Sequence, residues 1–154
     1  IDNGELDWAE NFVNDHIKEM HSEYQENMKF YSMAIIHFEK GEFEKSLENI
    51  TKVKYDFFLF KMDVKITMFK IYFELELYDQ AYSIIDTLKH YISNSRDLSD
   101  IMKHRGSNFA KYGTKLLNEK TRDHDADPGL LIEMISSEKH LGSKSWFLKK
   151  LSPE

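Results

Sequence analysis

The feature of this chain closest to a metal-binding loop is the acidic segment DHDADPG. Asp123, Asp125 and Asp127 alternate along it, as oxygen ligands of calcium do in helix-loop-helix sites. A loop of that kind also needs glycine at its sixth position and a bidentate glutamate at its twelfth, where this chain has Pro128 and Met134. We therefore interpret the segment as an Asp-rich connection between helices and predict no metal site there.

The seven histidines do not form a metal-binding or catalytic motif in the sequence. His16 and His21 are five residues apart, and no His-Glu-x-x-His arrangement occurs. The sequence also has no glycine-rich phosphate loop, no nucleophile elbow and no cysteine. We predict a protein that is not an enzyme and has no cofactor. A helical hydrolase or metal-dependent enzyme stays an alternative, because catalytic groups can converge from distant segments.

Composition and charge indicate which kind of protein carries these residues. The chain has 154 residues, enough for one domain with its own core, and its 2 Pro and 6 Gly are few for a β-sandwich. A net charge of -6 gives no general attraction to phosphate backbones, so we expect no nucleic-acid partner. Without cysteine the redox compartment is undefined, and the cytoplasm is only the default expectation.

The most apolar stretch of the chain, from Phe57 to Phe73, is interrupted by four charged residues. A membrane span needs roughly 18 or more apolar residues with few or no charges. The stretch therefore predicts a buried helix, and we expect no membrane insertion.

Apolar residues recur at helical spacing through almost the whole sequence and predict about seven or eight helices. The first helix carries Trp8, Phe12, Ile17 and Met20 on one stripe and ends near residue 21. The second begins with a capping box, in which Ser22 and the glutamine three residues later satisfy exposed amides. Others follow over 42–53, 56–75, 78–92, 98–120, 128–135 and 146–151, with Asp56 as a predicted helix start and Pro128 in a first turn.

The segment HFEKGEFEKSLENI recurs in altered form 35 residues later. Gly41 aligns with Glu76, and the aromatic residues Phe38 and Phe43 align with Phe73 and Tyr78. Glycine lacks a β-carbon and suits the left-handed conformation in which helices commonly end. The offset therefore predicts two helical hairpins of similar length, each with an elbow at the same place.

At this spacing the chain resembles the tetratricopeptide repeat family, in which helical hairpins recur every ~34 residues. The resemblance implies an all-α, right-handed array of antiparallel hairpins. Residues 1–154 would form a single domain, as a fragment of a longer chain. Its expected parts are a half hairpin at 1–21, hairpins at 22–56 and 57–94, and degenerate hairpins with a C-terminal cap at 97–151. Trp146 and Phe147 are candidate cap residues.

Signature positions of the family are kept in the first hairpin and altered in the second. Ala34 and Ser46 are small where the two helices of a hairpin approach closely. In the second hairpin Phe69 occupies a small-residue position, and Glu76 occupies the glycine position. We expect Phe69 to change the helix packing, and Glu76 either to avoid a positive φ or to bear its cost.

The resemblance also implies a concave groove formed by the leading helix of each hairpin. Its mixture of apolar and acidic residues favours a basic-aliphatic peptide or partner helix. The simpler reading of Phe38 and Phe73 is that both belong to the core between hairpins. The residues that this reading of the groove assigns to it are Met28, Tyr31, Ile35, Phe38, Glu39, Asp63, Ile66, Lys70, Phe73 and Glu74.

Two further expectations concern the partner. Members of the family that bind terminal carboxylates use Asn and Lys at groove positions where this chain has Tyr31 and Ile35, so that mode is not expected. The main alternative is a structural self-association module, a homodimer formed through its open ends or its groove. Burial of Trp8 or Trp146 on dimerisation would support that alternative.

Overall fold

The computed structural model describes residues 3–19, 21–54, 60–121 and 127–152. Those residues form eight α-helices and no β-strand, which confirms the all-α prediction. A 3₁₀ turn, Ile17–Glu19, follows the first helix. The helices are α1 Asn3–His16, α2 Ser22–Glu39, α3 Phe43–Ile50, α4 Lys61–Glu74, α5 Tyr78–Asn94, α6 Asp100–Thr121, α7 Pro128–Ser137 and α8 Lys144–Leu151.

The chain divides into two compact units, an N-terminal unit of Ile1–Leu77 and a C-terminal unit of Tyr78–Glu154. The N-terminal unit contains α1 to α4 and the C-terminal unit contains α5 to α8. The boundary lies between the two helices of the predicted hairpin at 57–94, so α4 and α5 belong to different units.

Helices α2 and α3 form an antiparallel hairpin. Ser46 and Ala34 are fully buried, and the Ser46 hydroxyl donates to the Ala34 carbonyl oxygen at 2.6 Å. Farther from the turn, the Asn27 side-chain oxygen accepts from the Lys54 amide at 2.8 Å. Small side chains therefore allow the close approach that the sequence predicts, and the hydrogen bond satisfies a hydroxyl that would be costly to bury alone.

The elbow of this hairpin is a Schellman motif centred on Gly41. Gly41 has a φ of 76°, its amide donates to the Phe38 carbonyl, and the Glu42 amide donates to the His37 carbonyl at 2.8 Å. These two bonds satisfy carbonyls that the end of α2 would otherwise leave unpaired. The His37 imidazole donates from Nδ1 to the Glu42 carboxylate at 2.6 Å, which ties both sides of the turn together.

The end of α4 repeats the same backbone motif without glycine. Glu76 has a φ of 57°, its amide donates to the Phe73 carbonyl, and the Leu77 amide donates to the Tyr72 carbonyl at 2.8 Å. Glu76 therefore bears the cost of the left-handed conformation, one of the two outcomes expected for it. That cost is roughly 1–2 kcal/mol for a residue with a β-carbon.

Helix α4 is the most buried helix of the N-terminal unit. It packs on α3 and contacts α2. Its apolar residues extend around much of its circumference instead of forming one stripe, which is typical of a helix surrounded by other elements. The buried residues of α4 are Met62, Val64, Lys65, Thr67, Met68, Phe69, Ile71 and Phe73.

The C-terminal unit has its own core around α6. Helix α5 packs on α6 and α7 packs on α8. The Tyr82 hydroxyl donates to the Asn118 side-chain oxygen at 2.8 Å, and the rings of Phe109 and Phe147 lie 5.2 Å apart. Phe147 is fully buried, so it is a core residue of α8. The largest fully buried side chains of this unit are Tyr112, Phe109, Phe147, Ile85, Leu88, Leu116, Leu117 and Ile135.

The predicted capping box at the start of α2 is wrong. The residue before the helix is His21, which makes no capping bond through its side chain, and Ser22 is the first helical residue. Gln25 instead donates to the Lys18 carbonyl at 3.2 Å. His21 is extended, with φ of -59° and ψ of 135°, and the helix begins one residue later than the predicted cap requires.

The start of α7 agrees with the prediction. Asp127 accepts from the Gly129 amide at 2.9 Å and Pro128 occupies the first turn. Five other residues named in the sequence predictions lie outside the described residues: Met20, Asp56, Phe57, Asp123 and Asp125.

Removing glycine at the first elbow and introducing it at the second should have opposite effects on stability. We expect Gly41→Ala to lower the free energy of unfolding by about 1 kcal/mol, because a β-carbon strains this backbone. The space around Gly41 is open, so the loss would be purely conformational. We expect Glu76→Gly to raise the free energy of unfolding by about 0.5 kcal/mol. The strain relieved in the folded state is larger than the entropy that glycine adds to the unfolded chain.

Urea unfolding followed by circular dichroism measures both changes. Gly4→Ala is the matched control, because Gly4 lies inside α1, also has open space, and should become slightly more stable. A stability loss in Glu76→Gly equal to that of Gly41→Ala would contradict the shared elbow geometry.

Candidate interaction surface

The candidate site lies on α2 and α4, which carry five each of the ten predicted groove residues. Three contacts join the two sides. The rings of Tyr31 and Phe60 lie 5.3 Å apart, the Lys70 Nζ lies 4.5 Å from the centre of the Phe38 ring, and Asp63 interacts electrostatically with Tyr31. Tyr31 and Phe38 of α2 therefore lie beside Asp63 and Lys70 of α4, in each case a partner 32 residues farther along the chain.

The two phenylalanines of the predicted groove are core residues. Phe38 is 8% exposed and Phe73 is 5% exposed. Phe38 also contacts Phe43 across the elbow, with ring centres 5.4 Å apart. Their apolar area is already covered within the chain, as the simpler reading of the pattern expected. A ligand on this face would contact their surroundings more than the rings themselves.

Lys70 lies between the acidic residues of this face. Burial lowers the pKa of its ammonium, whereas the charges of Glu39 and Glu74 act in the opposite direction and raise it. The two carboxylates and the ammonium therefore interact, and the ammonium also lies over the Phe38 ring. Lys70 therefore partly neutralises the negative charge of Glu39 and Glu74 on this face.

Tyr31 is a half-buried residue whose hydroxyl is hard to ionise. Burial raises the pKa of Tyr31 to about 12, and the nearby Asp63 carboxylate adds to the rise. A phenolate there would lose hydration and face a like charge, so the neutral form dominates at physiological pH. The hydroxyl can serve as a hydrogen-bond group on this surface but not as a base.

The remaining apolar members of the set, Met28, Ile35 and Ile66, are half-buried. Met28 and Tyr31 line a small pocket with Val53 and Phe60. Its volume is about 10 Å³, enough for about one water molecule. Pockets that hold small organic ligands are far larger, roughly 300–1,000 Å³. The face is therefore suited to a shallow contact with a macromolecule and not to enclosing a metabolite.

Reactive groups do not converge on this face. Within the described ranges, no three His, Asp or Glu side chains lie close enough to hold a metal ion. His37 is partly buried, with its Nδ1 2.6 Å from the Glu42 carboxylate. No helix formed by the described residues is long and apolar enough to cross a membrane.

The C-terminal unit has an open depression that the sequence did not indicate. Tyr112, Met134, Glu138 and His140 line a volume of about 390 Å³. The Tyr112 hydroxyl donates to the Glu138 carboxylate at 3.2 Å. No spacing rule could have linked these residues, because they come from α6, from α7 and from the segment after α7. Its polar contacts close the C-terminal end of α7 against α6.

Helix α1 differs most from its predicted packing. Trp8 and Phe12 lie on the helical stripe that the sequence predicts, but they are 66% and 46% exposed, whereas Leu6 is buried. The stripe that faces α2 is therefore rotated away from the two large rings. Their four-residue spacing was visible in the sequence, but spacing alone does not tell which face of a short helix is covered.

Comparison of the chain with protein-family models, with curated proteins and with solved structures gives no match. The tetratricopeptide resemblance therefore stays a prediction that depends on the 35-residue offset and the paired elbows.

The environment of Tyr31 gives a measurable titration. We expect Asp63→Asn to lower the pKa of Tyr31 from about 12 by removing the adjacent charge, while leaving it above the ordinary 10.0 because burial is the larger cause. The ultraviolet absorbance of tyrosinate, taken as the difference between each protein and its Tyr31→Phe counterpart, isolates this group.

The linked stability effect has a defined sign. A raised folded-state pKa stabilises the protein fully below pH 10 and loses that contribution as pH rises toward 12. The unfolding free energy should therefore fall less steeply over this range in Tyr31→Phe. Equal slopes in the two proteins would contradict the assigned environment.

Proposed function

We propose that the protein is a non-catalytic interaction module with a tetratricopeptide-like, right-handed array of hairpins, and that the α2 and α4 face binds a basic-aliphatic peptide or partner helix. The observation that carries this proposal is the contact between α2 and α4, the leading helices of the two predicted hairpins. Tyr31 meets Asp63 and Phe38 meets Lys70 across the two helices.

The repeated elbow supports the repeat interpretation independently of side chains. Gly41 and Glu76 are separated by one repeat length, and each closes a helix with the same two backbone bonds. A left-handed residue at the same place in successive units is a backbone signature, and it persists at Glu76 although glycine has been lost.

The surface chemistry supports a basic-aliphatic partner. Met28, Ile35 and Ile66 offer partly exposed apolar area, while Glu39, Asp63 and Glu74 contribute negative charge on the same two helices. Apolar contact would supply most of the affinity, and the carboxylates would steer a Lys- or Arg-containing segment into register. Lys70 would hold the central carboxylates in place until a ligand cation competes for them.

The charge of this face can be tested without disturbing the core. We expect Glu39→Lys with Glu74→Lys to weaken binding of short Lys- and Leu-containing peptides about tenfold, because two partly exposed attractions become repulsions. Fluorescence anisotropy of labelled peptides measures the affinity. Truncating Phe73 would be less informative, since removing a buried phenylalanine costs roughly 3–5 kcal/mol of stability.

Glu26→Lys with Glu44→Lys is the matched control, because it makes the same change in net charge at two exposed positions outside the predicted groove. Its affinity should stay close to that of the unmodified protein. Equal weakening in both double variants would indicate general charge attraction and would rule out a site on the α2 and α4 face.

A further inference from the structure

Three side chains on α1 form a stacked ladder that faces away from the rest of the unit. The rings of Trp8 and Phe12 are stacked with centres 5.2 Å apart, and those of Phe12 and His16 with centres 4.2 Å apart. The four-residue spacing brings the rings above one another on one helix face. Trp8 is 66% exposed and Phe12 46%, and His16 is also exposed. We call this set the aromatic ladder.

The opposite side of α1 is anchored, so the ladder is held outward. Leu6 is buried, and the Lys40 ammonium donates to the carboxylates of Asp7 and Glu10, each at 2.7 Å. Those two hydrogen bonds raise the pKa of Lys40 and keep it charged. His16 is itself positioned by Nδ1, which donates to the Phe12 carbonyl at 3.1 Å. Covering the rings by rotating α1 would break the Lys40 contacts.

Negative charge surrounds the ladder. Glu5 and Asp15 are exposed and stand three residues from Trp8 and Phe12, which makes them neighbours on the helix surface. The excess of negative charge extends through the N-terminal unit. By sequence, residues 1–77 carry 9 Lys and 16 Asp or Glu, a net charge of -7, whereas residues 78–154 carry 12 Lys or Arg and 11 Asp or Glu, a net charge of +1.

We propose that the aromatic ladder is a second docking surface, and that its occupant is a basic amphipathic helix of a partner protein. Aliphatic side chains of that helix would cover Phe12 and His16, and a Lys or Arg would lie over the face of Trp8, where a cation is attracted to the ring. Flanking cations would meet Glu5 and Asp15. The inference rests on the proposed role in protein binding but uses a different surface.

Charge disfavours the other occupants of this surface. A symmetric contact between α1 helices of two copies would bring the carboxylates of Glu5 and Asp15 against those of the second copy, which repel each other. A nucleic-acid backbone would meet the same repulsion. Only a basic partner complements both the apolar rings and their acidic surroundings.

The experiment uses Trp8 as its own reporter. The chain has two tryptophans, so Trp146→Phe leaves Trp8 as the single source of tryptophan emission. The probe is a synthetic amphipathic helix of Leu and Lys, and the control peptide has the same composition in an order without an apolar face. We expect the amphipathic peptide to shift Trp8 emission to shorter wavelength and the control peptide to leave it unchanged.

Two variants then assign the contact, measured by anisotropy of the labelled peptide. Trp8→Ser with Phe12→Ser removes only exposed rings. It should weaken binding tenfold or more, because truncating an aromatic anchor of an interface typically causes a loss of that size. Glu5→Lys with Asp15→Lys should weaken it about tenfold and reduce its salt dependence. Ile101→Ser with Leu130→Ser is the matched control, since it removes exposed apolar side chains from the C-terminal unit.

Each remaining outcome separates this inference from the proposed groove. Unchanged affinity in Trp8→Ser with Phe12→Ser overturns the ladder, and if Glu39→Lys with Glu74→Lys then weakens binding, the groove proposal still holds. Weakened binding in Trp8→Ser with Phe12→Ser, together with unchanged affinity in Glu39→Lys with Glu74→Lys, supports the ladder and rules out the groove. A shift of Trp8 emission with protein concentration alone, without peptide, would mean that a second copy occupies the surface, and would overturn the proposed partner.

Discussion

The reversal of the chain at Gly41 is the constraint on which the N-terminal unit depends. A helix can be followed at once by an antiparallel helix only if its last carbonyls are satisfied and the backbone turns through a left-handed residue. At Gly41, two hydrogen bonds from backbone amides satisfy the last carbonyls, and Gly41 itself is the left-handed residue. Ser46 then lies opposite Ala34, and the small size of both side chains permits close contact. The approach of α3 to α2 leaves room for α4 against both.

The same constraint explains why Glu76 is tolerated. A left-handed glutamate is strained, yet the bonds from the Glu76 and Leu77 amides offset that strain by pairing carbonyls of α4. The elbow is therefore set by the backbone hydrogen bonds, and glycine only makes it less costly. This is the physical sense in which a repeat can diverge in sequence while its backbone stays recognisable.

Much of the fold could be predicted from the sequence, whereas the exposure of individual side chains could not. Helix number, the Gly41 elbow and the small pair Ala34 and Ser46 followed from periodicity and stereochemistry. The core positions of Phe38 and Phe73 followed from the rule that aromatic residues at helical spacing usually lie in a core. The bridging position of Lys70 and the outward rotation of α1 depend on long-range contacts, chiefly those of Lys40 with Asp7 and Glu10, which no local spacing encodes.

Lys40 and Lys70 show how two charges decide which side chains of this unit stay exposed. Lys40 is the C-cap residue of α2, where a cation is also favoured by the helix dipole. Lys40 draws two carboxylates of α1 inward and leaves Trp8 and Phe12 outside, so it creates apolar surface on one face. Lys70 interacts with Glu39 and Glu74 and covers the Phe38 ring, so it removes negative charge and apolar surface from another. The α2 and α4 face consequently has more of its charge and apolar area covered within the chain, whereas Trp8, Phe12, Glu5 and Asp15 on α1 stay exposed.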